Sequence, residues 1–177
     1  MNKLLTVCAM IFLYVNSVTL VAQSNPESAL KAVFLYNFTK FVSWNEADSS
    51  DAFLIGVLGE TEVADYLQDI SMKKDVRGKR IVIYHFSKPE DVTPCNILFF
   101  AADQTAKMPQ ILDVLNLNNT LSVGEMRNFT KLGGAINFVV ESGLLRFELN
   151  RKAIDQVGLT ASAELLKLAI LTDEQLE

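Results

Sequence analysis

The seven-residue run Ala52–Leu58 constrains the fold of this 177-residue chain more than any other stretch of its sequence. Every position in it is apolar or glycine, and Gly59 follows directly. The length is typical of a β-strand, and the lack of alternation with polar residues is typical of a strand covered on both faces. Because such a strand needs other elements packed on either side of its sheet, the run predicts an α/β fold.

Strand-like and helix-like segments alternate along the rest of the sequence. Further apolar runs occupy residues 80–86, 96–102 and 120–123. Apolar residues at helical spacing surround these runs. The helical sets are Leu30, Val33, Phe34, Phe38 and Phe41; Val63, Leu67 and Ile70; and Met108, Ile111, Leu112 and Leu115. We therefore expect a single α/β domain, with a mixed sheet of about six strands flanked by helices on both faces.

The clearest local element is a β-hairpin centred on Ser142-Gly143, with a short helix from Asn150 to Gly158 and a last helix after it. Apolar residues alternate with others on both sides of the turn, and a shift of one residue would mix the two faces. A two-residue turn would bring the apolar residues opposite one another on one face. The expected pairs are Val140 with Leu145, Phe138 with Phe147, and Ile136 with Leu149.

The first 22 residues have the layout of a signal peptide. Lys3 precedes an apolar run from Leu4 to Val21, and Ala22 supplies a small residue before the expected cut. A retained transmembrane helix is the alternative, but Asn16 interrupts the run and no basic stop-transfer cluster follows it. We expect residues 1–22 to be removed and residues 23–177 to form an exported, periplasmic domain that does not span the membrane.

Charge and cysteine content exclude several classes of protein. Without Lys3, the chain keeps 15 basic residues against 21 acidic ones, a net charge of −6. This balance argues against a nucleic-acid partner, which needs a basic face. Removal of Cys8 with the signal peptide leaves Cys95 alone, so no internal disulfide can form. We expect a buried, inert thiol; an intermolecular disulfide or a redox role is the alternative.

We find no catalytic, cofactor-binding or metal-binding motif. His85 is the single histidine, so it cannot build a multi-histidine zinc site. A thiolate pair of Cys95 with His85 stays open, because the two lie on strands that are expected to follow one another in the chain. The segment from Gly56 to Glu60 ends a strand before a helix, but it lacks the rest of a phosphate-binding fingerprint.

Asn25 or Ser24 is expected to cap a helix whose first position is Pro26. This helix is unusually aromatic. Most of its rings follow the helical period and are expected in the core. Tyr36 and Trp44 fall outside that period. These two side chains are therefore the candidates for binding a partner, since exposed tyrosine and tryptophan often anchor protein interfaces.

The sequence resembles the YfiR-like family of periplasmic proteins. The most specific matches are its opening block, residues 31–44 (KAVFLYNFTKFVSW), and the segment Arg146-Phe147-Glu148-Leu149-Asn150. Weaker matches lie between and after them, in the expected order. They are Ile55-Gly56-Val57-Leu58-Gly59, Gly78-Lys79-Arg80, Cys95-Asn96-Ile97-Leu98-Phe99, Leu121-Ser122-Val123, Gly133-Gly134-Ala135-Ile136-Asn137-Phe138 and Gly158-Leu159.

This resemblance implies a non-enzymatic regulator without cofactors. The expected partner is the periplasmic part of an inner-membrane sensor, a diguanylate cyclase or a histidine kinase, and a homodimer is left open. For a cyclase, the regulator would repress synthesis of cyclic-di-GMP. The lone Cys95 departs from the cysteine pairs of the best-known members, so redox control by an internal disulfide is not implied. The alternative is a periplasmic small-ligand-binding module that uses a crevice beyond Gly59.

Overall fold

The structure is a computed structural model that describes residues 25–44, 50–107, 111 and 117–172. The predicted signal peptide lies outside these residues, and so do Met108, Leu112 and Leu115 of the predicted third helix. Ile111 is described; it is helical and buried.

Besides the helical Ile111, the described residues contain ten strands and four α-helices, with 3₁₀ turns at Pro89–Asp91 and Ala102–Lys107. The helices are α1 Pro26–Phe41, α2 Val63–Ser71, α3 Arg151–Gln156 and α4 Ala163–Leu168. The strands are β1 Val42–Ser43, β2 Ala52–Leu58, β3 Asp75–Val76, β4 Lys79–Phe86, β5 Ile97–Phe100, β6 Leu121–Gly124, β7 Ile136–Glu141, β8 Leu144–Leu149, β9 Thr160–Ala161 and β10 Ile170–Leu171.

Eight of the strands form one mixed sheet in the order β10-β8-β7-β6-β5-β2-β4-β3. The five strands from β7 to β4 run parallel, and antiparallel pairs flank them. The predicted α/β class is confirmed, but the sheet has eight strands and not six. The two additional strands, β3 and β10, are two residues long and lie at the edges, so no apolar pattern in the sequence marks them.

The predicted hairpin is confirmed in its turn and its register. β7 pairs with β8 so that Phe138 lies opposite Phe147 and Ile136 opposite Leu149. Ser142 and Gly143 both have positive φ, 52° and 78°, which matches the twist of a two-residue hairpin turn.

Two hydrophobic cores lie on opposite faces of the sheet. The larger core contains inward-facing residues of α1, α2, α3 and α4 packed on odd-numbered residues of β2 and β5, such as Ile55 and Phe99. The smaller core contains Leu58 and Phe100 of the same strands, with Ile111 and Phe129 above them. The central strands are therefore covered on both faces, as the run Ala52–Leu58 predicts.

One expectation for α1 is wrong. The helical spacing groups Leu30 and Val33 with Phe38 on one apolar face, but 43% and 44% of their surfaces are exposed. The helix instead buries a side that contains small and polar residues together with Leu35 and Phe38. Its other buried members are Ser28, Lys31, Ala32 and Thr39. The helix has apolar residues around most of its circumference, so their spacing alone did not identify the buried side.

Two glycines enclose the ring of Phe129. A β-carbon at Gly124 would lie 2.7 Å from Cδ2 of that ring, and one at Gly134 would also overlap the ring. The ring itself is fully buried and packs 5.5 Å from the ring of Phe100, between centroids. The absence of side chains at both glycines therefore makes room for a large core residue.

We expect Gly124→Ala to lower the free energy of unfolding by about 1–3 kcal/mol, because the added methyl group overpacks the core against Phe129. Urea unfolding of both proteins measures the loss. The same substitution in a Phe129→Leu background should cost less, since the smaller side chain leaves room for the methyl group. An equal loss in the two backgrounds would contradict this explanation.

Candidate functional site

Helix α1 is fixed at its N-terminus by Asn25 and Pro26. The side-chain Oδ1 of Asn25 accepts hydrogen bonds from the backbone N–H groups of Glu27, at 3.2 Å, and Ser28, at 3.4 Å. Pro26 has no N–H to leave unpaired and has a φ suited to the first helical position. The predicted cap is therefore confirmed, with Asn25 as the capping residue.

Aromatic rings hold one side of α1 against the hairpin. The centroid of the Phe38 ring lies 5.3 Å from that of Phe147 and 6.1 Å from that of Phe138. The Phe34 ring lies 5.9 Å from each of the same two rings. These four side chains form a buried to half-buried cluster in which edge and tilted contacts favour one packing arrangement.

The outer side of α1 is apolar and exposed. Leu30, Val33 and the half-buried Phe34 lie within five residues, which places them on neighbouring turns of the helix. At the hairpin, Val140 continues the strand face of Phe138, and it is 61% exposed. We call Leu30, Val33 and Val140 together the α1 surface. This surface extends the aromatic cluster to the solvent.

Tyr36 and Trp44, the predicted partner-binding residues, are both half-buried and take part in internal contacts. The hydroxyl of Tyr36 donates to the backbone oxygen of Asp75 at 3.4 Å, and its ring lies 4.8 Å below the Lys40 ammonium. Nε1 of Trp44 donates to the backbone oxygen of Asn96 at 3.0 Å. The structure thus gives each ring a role in joining elements of the fold, and their contact with a partner stays a prediction.

A mostly buried ion-pair cluster joins α1 to the carboxyl end of the sheet. Nζ of Lys31 lies 2.5 Å from Oε2 of Glu125, which follows β6, and 2.6 Å from Oε1 of Glu27. The other oxygen of Glu125 accepts from the backbone N–H of Ala102 at 3.2 Å. Burial lowers the pKa of Lys31, but the hydrogen bonds and negative charges of the two glutamates outweigh this effect and raise it above 10.5.

Cys95 and His85 do not form a catalytic pair. Although β4 and β5 are successive in the chain, β2 lies between them in the sheet, so the two residues are on opposite sides of β2. His85 is exposed, and its Nε2 makes a hydrogen bond with the Gly59 oxygen at 2.7 Å. Burial raises the pKa of the Cys95 thiol to about 12, which disfavours the reactive thiolate.

The crevice predicted beyond Gly59 lies between the carboxyl ends of β2 and β5. In open α/β sheets ligands bind at such a point, where chain connections leave in opposite directions. Here the side chains of Asp103 and Gln104 lie close above Gly59, and Oδ2 of Asp103 accepts from the Glu60 N–H at 3.4 Å. The Asp103 carboxylate thus occupies the crevice, and ligand binding there stays a prediction.

Within residues 25–44, 50–107, 111 and 117–172, no group of three or more histidine, cysteine or acidic side chains is arranged to hold a metal ion. The same residues contain no helix long and apolar enough to cross a membrane.

Comparison with known proteins identifies the family. A family profile described as YfiR/HmsC-like matches residues 28–170. The chain belongs to the YfiR/HmsC-like family. This family is known for periplasmic regulators, and the match therefore favours a regulatory role for the chain. It also confirms the resemblance seen in the sequence.

Among solved structures, the chain is similar to a conserved domain protein from Vibrio cholerae O1 biovar El Tor strain N16961, with a TM-score of 0.57 and 13% sequence identity. The similarity covers 82% of this chain and 60% of that protein. At this identity it supports the shared fold alone. No curated protein matches the chain.

Two matched segments of the YfiR/HmsC-like resemblance, residues 133–138 and 146–150, have a structural explanation. Residues 125–134 form a loop over the smaller core, and polar side chains of β7 and β8 hold it there. Asn137 accepts from the Met126 N–H at 3.0 Å and donates to Glu148 at 3.2 Å. Glu148 also accepts from the Thr130 hydroxyl at 3.3 Å, so one carboxylate connects the loop to the hairpin.

Asn150 completes this attachment from the end of β8. Its Nδ2 donates to the Thr130 oxygen at 3.0 Å, and its Oδ1 accepts from the Ala153 N–H to cap α3. The loop thereby presents Arg127, Lys131 and Leu132 to solvent on a fixed backbone.

Sequence reasoning missed the pair of Lys31 and Glu125, because the residues lie 94 positions apart. Each residue of the pair nevertheless has one local signal in the sequence. Lys31 is four residues after Glu27 on the same helix, and Glu125 directly follows an apolar strand, where carboxyl-end side chains gather.

We expect Lys31→Met to lower the free energy of unfolding by about 3 kcal/mol, because it leaves the mostly buried Glu125 carboxylate without its cation. The exposed Lys131→Met serves as the control and should change the value by less than about 0.5 kcal/mol. The raised pKa means that the Lys31 charge stabilises the fold below pH 10.5 and loses that effect as the pH rises through the folded-state pKa. Equal effects of the two variants in urea unfolding would contradict this role of Lys31.

We expect iodoacetamide to react with folded Cys95 roughly 1,000-fold more slowly at pH 8 than with the urea-unfolded chain, because the raised pKa leaves almost no thiolate. Mass spectrometry of the alkylated protein over time measures both rates. Comparable rates in the two states would show an accessible, reactive thiol and would contradict the burial of this side chain.

Proposed function

We propose that this protein is a non-enzymatic periplasmic regulator that binds the periplasmic domain of an inner-membrane diguanylate cyclase and represses it. The observation that carries the proposal is membership of the YfiR/HmsC-like family over residues 28–170. The pattern of an N-terminal signal peptide supports export. The buried, high-pKa Cys95 and the separate His85 support a role without catalysis.

Repression by binding requires different affinities for two states of the cyclase. A regulator that bound the active and inactive states equally would leave their ratio unchanged, whatever its affinity. A preference of about 100-fold would contribute about 2.7 kcal/mol toward the inactive state. The regulator therefore needs a surface whose contacts exist in only one arrangement of the sensor.

The α1 surface is the best-supported place for this contact. Leu30 and Val33 are apolar side chains on a regular helix, and their exposure is not explained by any packing within the described residues. The ion pair of Lys31 with Glu125 and the ring of Phe38 hold the helix rigidly beneath them. A rigid apolar anchor loses little conformational freedom on binding, which favours affinity. Tyr36 and Trp44, nearby on the same segment, are proposed to contribute through their half-exposed edges.

We expect Leu30→Ser/Val33→Ser to abolish in-cell crosslinking to the sensor and to raise cellular cyclic-di-GMP to the level of a deletion strain. Both residues are about two-fifths exposed, so the fold should be retained. Mass spectrometry of crosslinked membrane proteins and a cyclic-di-GMP assay measure the two effects. The matched control is Leu132→Ser/Tyr84→Ser, whose two side chains are each 42% exposed on the opposite face of the sheet.

The outcomes separate the parts of the proposal. Capture of a histidine kinase in place of a cyclase, with cyclic-di-GMP unchanged, would overturn the cyclase as partner. Capture that persists in the Leu30→Ser/Val33→Ser variant would overturn the α1 surface, and Tyr36→Ala and Trp44→Ala would then test the other predicted residues. Recovery of no membrane protein with working crosslinker controls would overturn the regulator mechanism itself.

A further inference from the structure

The β3–β4 edge of the sheet has the highest density of positive charge in the sequence. Five of the eight residues from Lys73 to Arg80 are basic, and Asp75 is the one acidic residue among them. The remaining 169 residues carry 11 basic and 20 acidic side chains. The protein is therefore strongly polarised, with a basic edge on an acidic body.

The backbone presents these charges outward. Lys73 and Lys74 follow α2, Arg77 lies at the turn with a φ of 53°, and Arg80 lies on β4; all four are exposed. The Asp75 carboxylate accepts a hydrogen bond from the Gly78 N–H at 2.8 Å and thereby stabilises the turn. In the part of the chain that the structure describes, no carboxylate forms an ion pair with these four cations.

Helix α1 adds a cation from a second element. The Tyr36 hydroxyl contacts the backbone of Asp75, and the exposed Lys40 lies over the Tyr36 ring. Met72, directly before Lys73, is 68% exposed and places a flexible apolar side chain among the charges. These residues, Lys40, Met72, Lys73, Lys74, Arg77 and Arg80, are called the basic edge.

We propose that the basic edge binds the surface of a membrane that carries anionic phospholipids. Clusters of four to eight basic side chains are typical of segments that bind anionic headgroups, and each contributes about 1 kcal/mol near the surface. Three of the five cations are lysines, which are depleted in protein–protein interfaces, so a lipid surface fits better than an acidic protein. Met72 supplies an apolar group that can enter the headgroup boundary.

Lipid binding by the basic edge does not depend on a sensor, so it can be measured with the purified protein alone. The purified protein is mixed with vesicles of phosphatidylcholine alone or of phosphatidylcholine with phosphatidylglycerol, and the bound fraction is measured by flotation. We expect the protein to bind only the vesicles that contain phosphatidylglycerol. The bound fraction should fall steeply at high salt, because the charges of the basic edge are exposed. Lys73→Glu/Lys74→Glu should lower the partition coefficient by at least roughly 30-fold, since two favourable charges are removed.

The control is Lys131→Glu/Lys152→Glu, which makes the same change in net charge at exposed positions away from the basic edge. This variant should keep most of the binding. Equal losses in both variants, or equal binding to the two vesicle types, would overturn the proposal. The proposal would also be overturned if Lys73→Glu/Lys74→Glu bound vesicles as before but lost its crosslinks to a membrane protein. That result would assign the basic edge to a protein partner. If the reversed charges disturb folding, Lys73→Gln/Lys74→Gln replaces them in the same comparison.

Discussion

Strand β2 must be covered on both faces and paired on both edges, and the other elements are arranged around that requirement. β4 and β5 occupy its two edges, each in parallel register. Its odd-numbered side chains meet the helices of the larger core, and its even-numbered ones meet the smaller core. Gly56 shows how closely the second layer approaches, because a β-carbon there would come within 3.0 Å of Phe86 and Leu98. A strand enclosed in this way leaves recognition to the periphery of the sheet.

The rotation of α1 about its axis follows from an electrostatic requirement. Lys31 points toward the sheet, where burial of an ammonium is tolerated only with a carboxylate beside it. Glu125 supplies that carboxylate from the end of β6, and the Ala102 N–H holds it in place. With Lys31 directed inward, the 100° step of the helix turns Leu30 and Val33 toward solvent. The exposed apolar surface and the buried ion pair are thus two consequences of one helix orientation.

The sequence predicted those parts of the fold whose determinants are local. The capping by Asn25, the buried run Ala52–Leu58 and the register of the hairpin each depend on residues a few positions apart, and all three are confirmed. The edge strands β3 and β10 and the pair of Lys31 with Glu125 depend on partners distant in the chain, so periodicity did not reveal them. The buried side of α1 also depends on a distant residue, Glu125. The apolar spacing of the helix does not show where that charged partner lies, so it did not identify the side that is buried.

Helix α1 also relates the two proposed surfaces to each other. Leu30 and Lys40 are ten residues apart, so the rise of the helix separates them by about 15 Å. A protein held to a membrane by its basic edge would therefore keep Leu30 and Val33, the helical part of the α1 surface, within about 15 Å of Lys40 along the helix, close to the layer in which the periplasmic domain of a membrane sensor lies. Confinement to that layer raises the effective concentration of the regulator at its partner without any added contact. Weak lipid binding and a modest apolar interface could then together maintain a repression that neither would maintain alone.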